Sequence, residues 1–473
     1  MASVPLSPAT GAPGEDTQPQ RALGLFDRTE FASFLNWFAV WVVLANLAFA
    51  AMWLVGAPPR HHEIIAAGAI GLIVRRMAPW AQCAAFAATM LYSILGFVAG
   101  LFNLKIKSLV HSIQFFLEIN PANSAEYLIG AAMVVAITGF AFWFILRRDQ
   151  AFTDTRLVLL AIMGTGGLAL LDGQMGEGMR GHYKRAASAD TPFVSAQNET
   201  GFAASALAGT SQRNLLLIMV ESLGTPSGNA EMERLLFARY DRPDIASRFE
   251  VRTGTSTYFN STTAGEIREL CGRWGDYFEV MDGADPSCLP ARLAHKGYET
   301  RAYHSFTGAF FDRAEWYPNI GFAQQQFAED LLERGTLECG GVFPGACDRD
   351  VPALIAQDLK AASAPQFAYW LTVNSHLPVP PGMNLDVDAC DTHSPVLADE
   401  FPMICRQFAL WNQMDDAIIE QITSADFPPT DILIVGDHMP PYFDRHHRSQ
   451  FAPDTVPYLL LEWREGATEG SEG

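Results

Sequence analysis

The stretch NLLLIMVES, residues 214–222, decides how the second half of this chain folds. Six consecutive apolar residues flanked by polar ones are too few for a typical helix and suit a strand buried on both faces. Three further runs follow the same grammar: YETRAYHS (298–305), QFAYWLTVNSH (366–376) and DILIVGDH (431–438). Between them lie helical patterns such as ERLLFARY (233–240) and FALWNQMDDAIIEQI (408–422). Strands alternating with helices predict an α/β domain with a mostly parallel central sheet.

Upstream the composition is different. Uncharged apolar runs over 31–57, 78–104 and 127–146 are near or above the roughly 20 residues needed to cross a bilayer. Two shorter runs, 64–74 and 157–171, bring the expected bundle to about five transmembrane helices. With five spans, Arg75-Arg76 and Arg147-Arg148 fall on the side of the N-terminus, as the positive-inside rule requires. The α/β part then lies outside the cytoplasm, and the first span, which no cleavage pattern precedes, stays as an anchor. The expected organisation is a disordered cytoplasmic tail over 1–25, a membrane domain over 26–172, a Gly/Ala/Ser-rich connector over 173–210 and a catalytic domain over 211–473. Within the bundle, LKIKSLVHSIQFFL (104–117) has the spacing either of a helix on the membrane surface or of an ordinary loop helix.

The net charge of −20 is carried entirely by the part beyond Asp172, where 42 acidic residues face 22 basic ones. That balance argues against nucleic acid as a partner. Six of the seven cysteines fall there too, in near pairs: Cys271 with Cys288, Cys339 with Cys347, Cys390 with Cys405. An even count in an oxidising compartment reads as disulfides, although six cysteines allow 15 pairings. No C-x-x-C spacing supports zinc among them.

Each apolar run ends in a residue able to bind metal or phosphate: Glu221, His304, His376, and the pair Asp437 and His438. In open α/β sheets the ligand site lies beyond the carboxyl ends of the strands, so the four endings converge on one edge. They predict a divalent metal, zinc, manganese or magnesium. A hydroxyl is available in STTAGEIRELC (261–271). Thr263-Ala-Gly-Glu266 fits a capping box, which leaves Thr262 at a helix start favourable to phosphate. Coordinated there, Thr262 would be activated as a nucleophile.

Taken in order, VES, STTAGE, FFDRAEWY, NSHLP and GDH resemble the membrane-anchored branch of the alkaline phosphatase and sulfatase superfamily. That branch comprises lipoteichoic acid synthases, glucan phosphoglycerol transferases and phosphoethanolamine transferases. The resemblance spans about 213–462 and implies that Glu221, Thr262, Asp437 and His438 bind the metal, with Thr262 as nucleophile. It also implies that Arg313, His376 and, more weakly, His304 contact the donor. Phe311 stands where lipoteichoic acid synthases have a tryptophan. The implied chemistry is transfer of a phosphoglycerol or phosphoethanolamine group from a phospholipid to an envelope glycan or lipid through phosphothreonine. The implied location is a bacterial inner membrane, with the catalytic domain in the periplasm.

Two alternatives stand beside this reading. Cys288-Leu-Pro-Ala-Arg292 matches the C-x-P-x-R pattern of sulfatases, so a membrane-anchored sulfatase or phosphodiesterase is one. Yet paired aspartates are absent after the first strand, and LPARLAHKGY (289–298) also reads as an ordinary helix. A non-enzymatic anchored binding protein is the other. His446 and His447 lie just past the GDH pair and fit either an acceptor-side lining or an exposed basic loop.

Overall fold

A computed structural model of the chain describes residues 26–50, 59–101, 106, 109, 122, 124–175, 192–259, 261–442 and 445–465. The tail over 1–25 lies outside these residues, as does 104–117 apart from Ile106 and Leu109, both helical.

Among the described residues five apolar helices come first: α1 (Arg28–Ala50), α2 (His61–Val74), α3 (Pro79–Leu101), α4 (Ala125–Arg147) and α5 (Thr155–Met175). Asp27 starts α1 by accepting from the amides of Thr29 and Glu30, and a π-helical segment, Ala39–Leu44, lies within it. Four of the five are long and apolar enough to cross a membrane; α2 is not. The run at 157–171 therefore extends to full spanning length, whereas the run at 64–74 stays short. At 14 residues, α2 reaches only about 21 Å of the ~30 Å hydrocarbon core. It is wedged against its neighbours, because a Cβ on Gly68 would fall 2.4 Å from Thr165, and one on Gly71 2.3 Å from Trp41. The bundle leaves Ile73, Trp80, Val135 and Leu170 exposed, an outer surface that suits lipid.

One end of the bundle collects the basic residues. Arg75 donates to the Phe152 carbonyl at 3.1 Å, and Asn36 to the Asp149 carbonyl at 2.9 Å. These bonds bring the start of α1, the end of α2 and the α4–α5 loop together, and with them Arg28, Arg76, Arg147, Arg148 and Arg156.

The α/β domain is built on strands β1 (Asn214–Val220), β2 (Phe249–Thr257), β3 (Glu299–His304), β4 (Gln324–Gln326), β7 (Gln366–Leu371), β8 (Thr430–Gly436) and β9 (Thr455–Trp463). A separate two-stranded ribbon is formed by β5 (Glu338–Cys339) and β6 (Gly345–Ala346). The large sheet runs β2-β9-β8-β1-β7-β3-β4. Strands β8, β1, β7, β3 and β4 are parallel, while β9 runs against both β8 and β2. Central β1 and β8 are buried along their whole length, which is why they read as unbroken apolar runs.

Two expectations shift. ERLLFARY does not form one helix, since Phe237 takes a left-handed φ of 57° between Ala230–Leu235 and the 3-10 turn Ala238–Tyr240. The last part of the expected connector is structured: helices Ala196–Thr200 and Ala204–Ala208 put Ala196, Phe202, Ala203 and Ala206 into the α/β core. Buried Glu269 accepts from the amides of Ala196 and Gln197, tying that segment to the domain. The cysteines pair as three disulfides, 271–288, 339–347 and 390–405.

Candidate active site

Strands β1 and β8 lie side by side in register, Val220 beside Gly436, so their next residues meet beyond the same sheet edge. Glu221, Asp437 and His438 thus come together, each offering one ligand atom within 4.8 Å of the others. All three are buried. The His438 Nε2 atom is 3.4 Å from Glu221 Oε1 and 3.3 Å from Asp437 Oδ2.

The backbone around them fixes which atoms face inward. Asp437 Oδ1 accepts from the amides of Ser222, at 2.7 Å, and His438, at 2.6 Å. Its Oδ2 atom has no hydrogen-bond partner. Nδ1 of His438 sits 2.9 Å from the Met439 carbonyl, to which it can only donate, so Nε2 presents its lone pair to the carboxylates. Ser222 holds this turn in a left-handed conformation, φ 56°, and donates its hydroxyl to Glu221 Oε1 at 2.8 Å. Strain of this kind persists only where the surroundings impose it.

Burial pushes the Asp437 carboxyl up to about 7, and the nearby charge of Glu221 adds to the effect. Burial opposes the imidazolium of His438, but the carboxylates of Asp437 and Glu221 outweigh it and raise its pKa. An orphaned carboxylate oxygen, a second carboxylate and an imidazole lone pair turned toward both are a donor set that fits a divalent cation.

Thr262 completes the group. Its hydroxyl is 3.2 Å from Glu221 Oε2 and 3.4 Å from His438 Nε2, at the first position of the helix Thr262–Cys271. The expected capping box does not form. Ser261 is the N-cap and makes no side-chain capping bond, while the Thr263 hydroxyl donates to Asp276 at 2.8 Å. Glu266 is drawn elsewhere: its carboxylate accepts from Arg313 at 2.9 and 3.1 Å, Tyr317 at 2.6 Å and Tyr369 at 3.1 Å. Thr262 nevertheless sits at the anion-favouring end of this helix.

Arg313, expected at the donor, is the partner of that carboxylate: its guanidinium is buried in the ion pair with Glu266, with Nη1 donating to the Phe310 carbonyl. Phe311 lies beside that guanidinium, 5.5 Å from ring centre to Cζ. His376 is packed on Phe343, ring centres 3.9 Å apart, with Nδ1 donating to the Leu377 carbonyl. Burial lowers its pKa to about 4, with the charge of His438 acting in the same direction, so it is neutral at pH 7. His304, at the end of β3, bonds the Leu371 carbonyl through Nδ1, and its buried Nε2 has no partner. Burial and the Arg313 charge keep it neutral. His446 is exposed and His447 half-buried, both against Phe401.

Several supporting residues gave no sequence signal. Asp348 accepts from the amides of Val373 and Asn374 and pins the loop that carries His376. Ser375 bonds the Glu221 carbonyl at 2.6 Å, and Thr372 accepts from the Glu221 amide at 2.9 Å. Arg268, fully buried, donates to the carbonyls of Gly436 and Asp437. Glycine is required at 436, where a Cβ would lie 2.0 Å from the Leu223 carbonyl oxygen.

Cys288 is fully buried in its disulfide with Cys271 and caps the helix Leu289–Ala294. The C-x-P-x-R match is thus part of a structural helix start.

No curated protein sequence matches the chain. Among solved structures it is similar to the lipoteichoic acid synthase LtaP from Listeria monocytogenes, at 16% identity and TM-score 0.39, over 57% of this chain and 69% of that one. It is also similar to the Streptococcus pyogenes phosphoglycerol transferase GacH in complex with sn-glycerol-1-phosphate, at 17% identity and TM-score 0.37, over 56% and 72%. The lipooligosaccharide phosphoethanolamine transferase EptA from Neisseria meningitidis aligns over 93% of this chain and 90% of its own, at 11% identity and TM-score 0.46. The sulfatase family matches residues 213–462, which is more than half of the 473-residue chain and runs from the start of β1 to the last residues of β9. The chain belongs to the sulfatase family.

Proposed function

We propose that the protein is a metal-dependent transferase. It moves a phosphoglycerol or phosphoethanolamine group from a membrane phospholipid to an extracytoplasmic glycan or lipid, with phosphothreonine at Thr262 as intermediate. The observation that carries this reading is the Thr262 hydroxyl at a helix start, 3.2 Å from Glu221 Oε2 and 3.4 Å from His438 Nε2. Glu221, Asp437, His438 and Thr262 would hold a divalent ion, zinc, manganese or magnesium, which supplies Lewis acidity and lowers the pKa of a bound hydroxyl.

Thr262 Oγ1 attacks phosphorus as its proton passes to Glu221 Oε2, 3.2 Å away, and the O–P bond to diacylglycerol breaks; diacylglycerol takes up that proton and departs as the alcohol. The acceptor hydroxyl then attacks phosphothreonine, and its proton passes to Thr262 Oγ1 as the bond from Thr262 to phosphorus breaks. The proposed setting is a bacterial cytoplasmic membrane with the α/β domain in the periplasm; four helices long and apolar enough to cross a membrane support it.

The experiment is incubation of the full-length protein and Thr262→Ala with phosphatidylglycerol or phosphatidylethanolamine. Diacylglycerol release and a mass adduct on Thr262 are expected from the unaltered protein only. Full activity of Thr262→Ala would refute the nucleophile. The hydrolase alternative uses water as acceptor; its formylglycine form is disfavoured by the Cys271–Cys288 disulfide.

A further inference from the structure

Six residues, or about 9 Å, along the helix that Thr262 begins stands Arg268, a fully buried side chain. Its guanidinium reaches three acceptors at once: Nη2 donates to the Gly436 carbonyl at 2.7 Å, Nη1 to the Asp437 carbonyl at 3.1 Å and Nε to Glu269 Oε1 at 2.6 Å. Gly436 and Asp437 form the turn that leads off β8, so one helix carries the Thr262 hydroxyl and also grips the backbone of the segment bearing Asp437 and His438. Desolvating both charges of a buried ion pair offsets most of their attraction, so the pair of Arg268 and Glu269 adds little to stability by its charge. What it supplies is the fixed, planar fork, which the single ammonium of a lysine could not reproduce across two carbonyls and a carboxylate.

Glu269 faces the other way as well, toward the segment that precedes β1. Its Oε1 accepts from the Ala196 amide at 3.2 Å and its Oε2 from the Gln197 amide at 2.9 Å, the first two amides of the helix Ala196–Thr200. The same segment is stitched to the edge strand β2: the Val194 amide donates to Thr257 Oγ1 at 2.9 Å, and its carbonyl accepts from the Thr257 amide at 3.1 Å. In the chain this connector follows the membrane helices and leads into the large sheet. A continuous line of bonds thus runs from the Ala196–Gln197 backbone through Glu269 and Arg268 to the backbone of Asp437.

We propose that Arg268 is a positioning residue for Asp437 and His438, and that Glu269 makes this positioning depend on the docked connector. The site then takes its geometry only when the segment arriving from the membrane helices is seated. Arg268 acts through the backbone of the turn and has no contact of its own with the reacting groups. Without the two connector amides, Glu269 is a buried carboxylate that has lost acceptor bonds, and it must turn to recover them. Because Nε, Nη1 and Nη2 share one rigid plane, a shift at Nε is passed on to both carbonyls. The inference rests on the proposed function for Asp437 and His438 being metal ligands, and not for the contacts themselves.

The test compares full-length protein with Arg268→Gln, Glu269→Gln and the double variant by hydrogen exchange without metal, calorimetry with manganese and the absorption spectrum with cobalt. Exchange at the amides of Asp437 and His438 is expected to quicken in both single variants while β1 stays protected. Manganese affinity should fall about 10- to 100-fold in Arg268→Gln, as for other contacts that orient a ligand, and about tenfold in Glu269→Gln, with the cobalt spectrum altered in both. Since Glu269 acts through Arg268, the double variant should lose no more than Arg268→Gln, and additive losses would overturn the coupling to the connector. A pair that only supports the fold would lower the thermal midpoint and leave exchange, affinity and cobalt spectrum of the folded protein unchanged, which overturns the proposal. Where Arg268→Gln does not fold, the test passes to Glu269→Gln and to Ala196→Pro, which deletes one connector amide at a first helical position that suits proline. Failure of the unaltered protein to take up either metal sinks the metal-dependent reading alone, because exchange still decides the positioning. Metal-dependent diacylglycerol release by the unaltered protein, with unshifted exchange and affinity in the folded variants, sinks this inference alone.

Discussion

Replacing Gly265 with alanine should disturb the site without touching a proposed metal ligand. A Cβ at 265 would stand 3.0 Å from the Asp437 carbonyl oxygen, 3.2 Å from its Cα and 3.3 Å from its Cβ. Asp437 cannot yield easily, because its amide donates to the Val220 carbonyl and Arg268 holds the carbonyls of Gly436 and Asp437. The helix Thr262–Cys271 must instead retreat, by about 0.4 Å to reach ordinary contact, which is close to the ~0.5 Å tolerance of a preorganised site. Thr262 lies three residues earlier on the same helix and moves with it, away from Glu221 and His438.

The expected cost is about 10- to 100-fold in metal affinity or turnover, as for the loss of a contact that orients a ligand. Overpacking should also cost about 1–3 kcal/mol in stability. Calorimetric titration of chelator-stripped protein with manganese or zinc, alongside diacylglycerol release, reads the first effect. Gly166→Ala, where a Cβ meets nothing within 4 Å, is the control. Wild-type metal affinity and turnover in folded Gly265→Ala would refute the argument that this close approach sets the geometry.

Other consequences can be checked separately. Cys288→Ala opens a disulfide spanning 17 residues and should cost about 3 kcal/mol, while the folded fraction keeps its activity; a formylglycine mass at Cys288 would contradict this. Arg313→Met strands the buried Glu266 carboxylate and should destabilise by about 3–5 kcal/mol, with partial recovery in Arg313→Met/Glu266→Gln by denaturant titration. A change confined to headgroup preference would instead mark Arg313 as a substrate contact. Asp415, which accepts from Tyr240 at 2.9 Å, is pushed up to about 7 by burial. The folded chain then keeps a proton that the unfolded chain has lost. Stability should fall as pH rises from about 4 to about 7, by up to about 4 kcal/mol. Thermal midpoints across that range should flatten in Asp415→Asn, and an unchanged slope would place the titration elsewhere.

What could be read from the sequence follows from where each signal was stored. The central strands were legible because burial on both faces leaves unbroken apolar runs, and their ends were legible because a parallel sheet delivers its carboxyl ends to one edge. Glu221, Asp437 and His438 inherit their proximity from strand register alone. The outer ribbon of β2 and β9 was not legible by that rule. Most of β2 is exposed and polar, and β9 carries Pro457, tolerated because the pairing with β8 covers only Tyr458 to Leu461.

The helix start departs from what its local spacing predicts for one physical reason. Thr263 and Glu266 have the spacing of a capping box, but local spacing does not reveal a competitor 47 residues away. Buried Arg313 requires a buried carboxylate, and an unpaired guanidinium in the core costs more than the roughly 1 kcal/mol that a cap supplies. Glu266 therefore goes to Arg313, Tyr317 and Tyr369. Thr262 keeps its place because that depends only on the helix beginning beside β1 and β8, whichever residue caps it. One buried ion pair thus accounts for the absent cap, and it leaves the arrangement around Thr262 standing on strand register and the Gly265 contact.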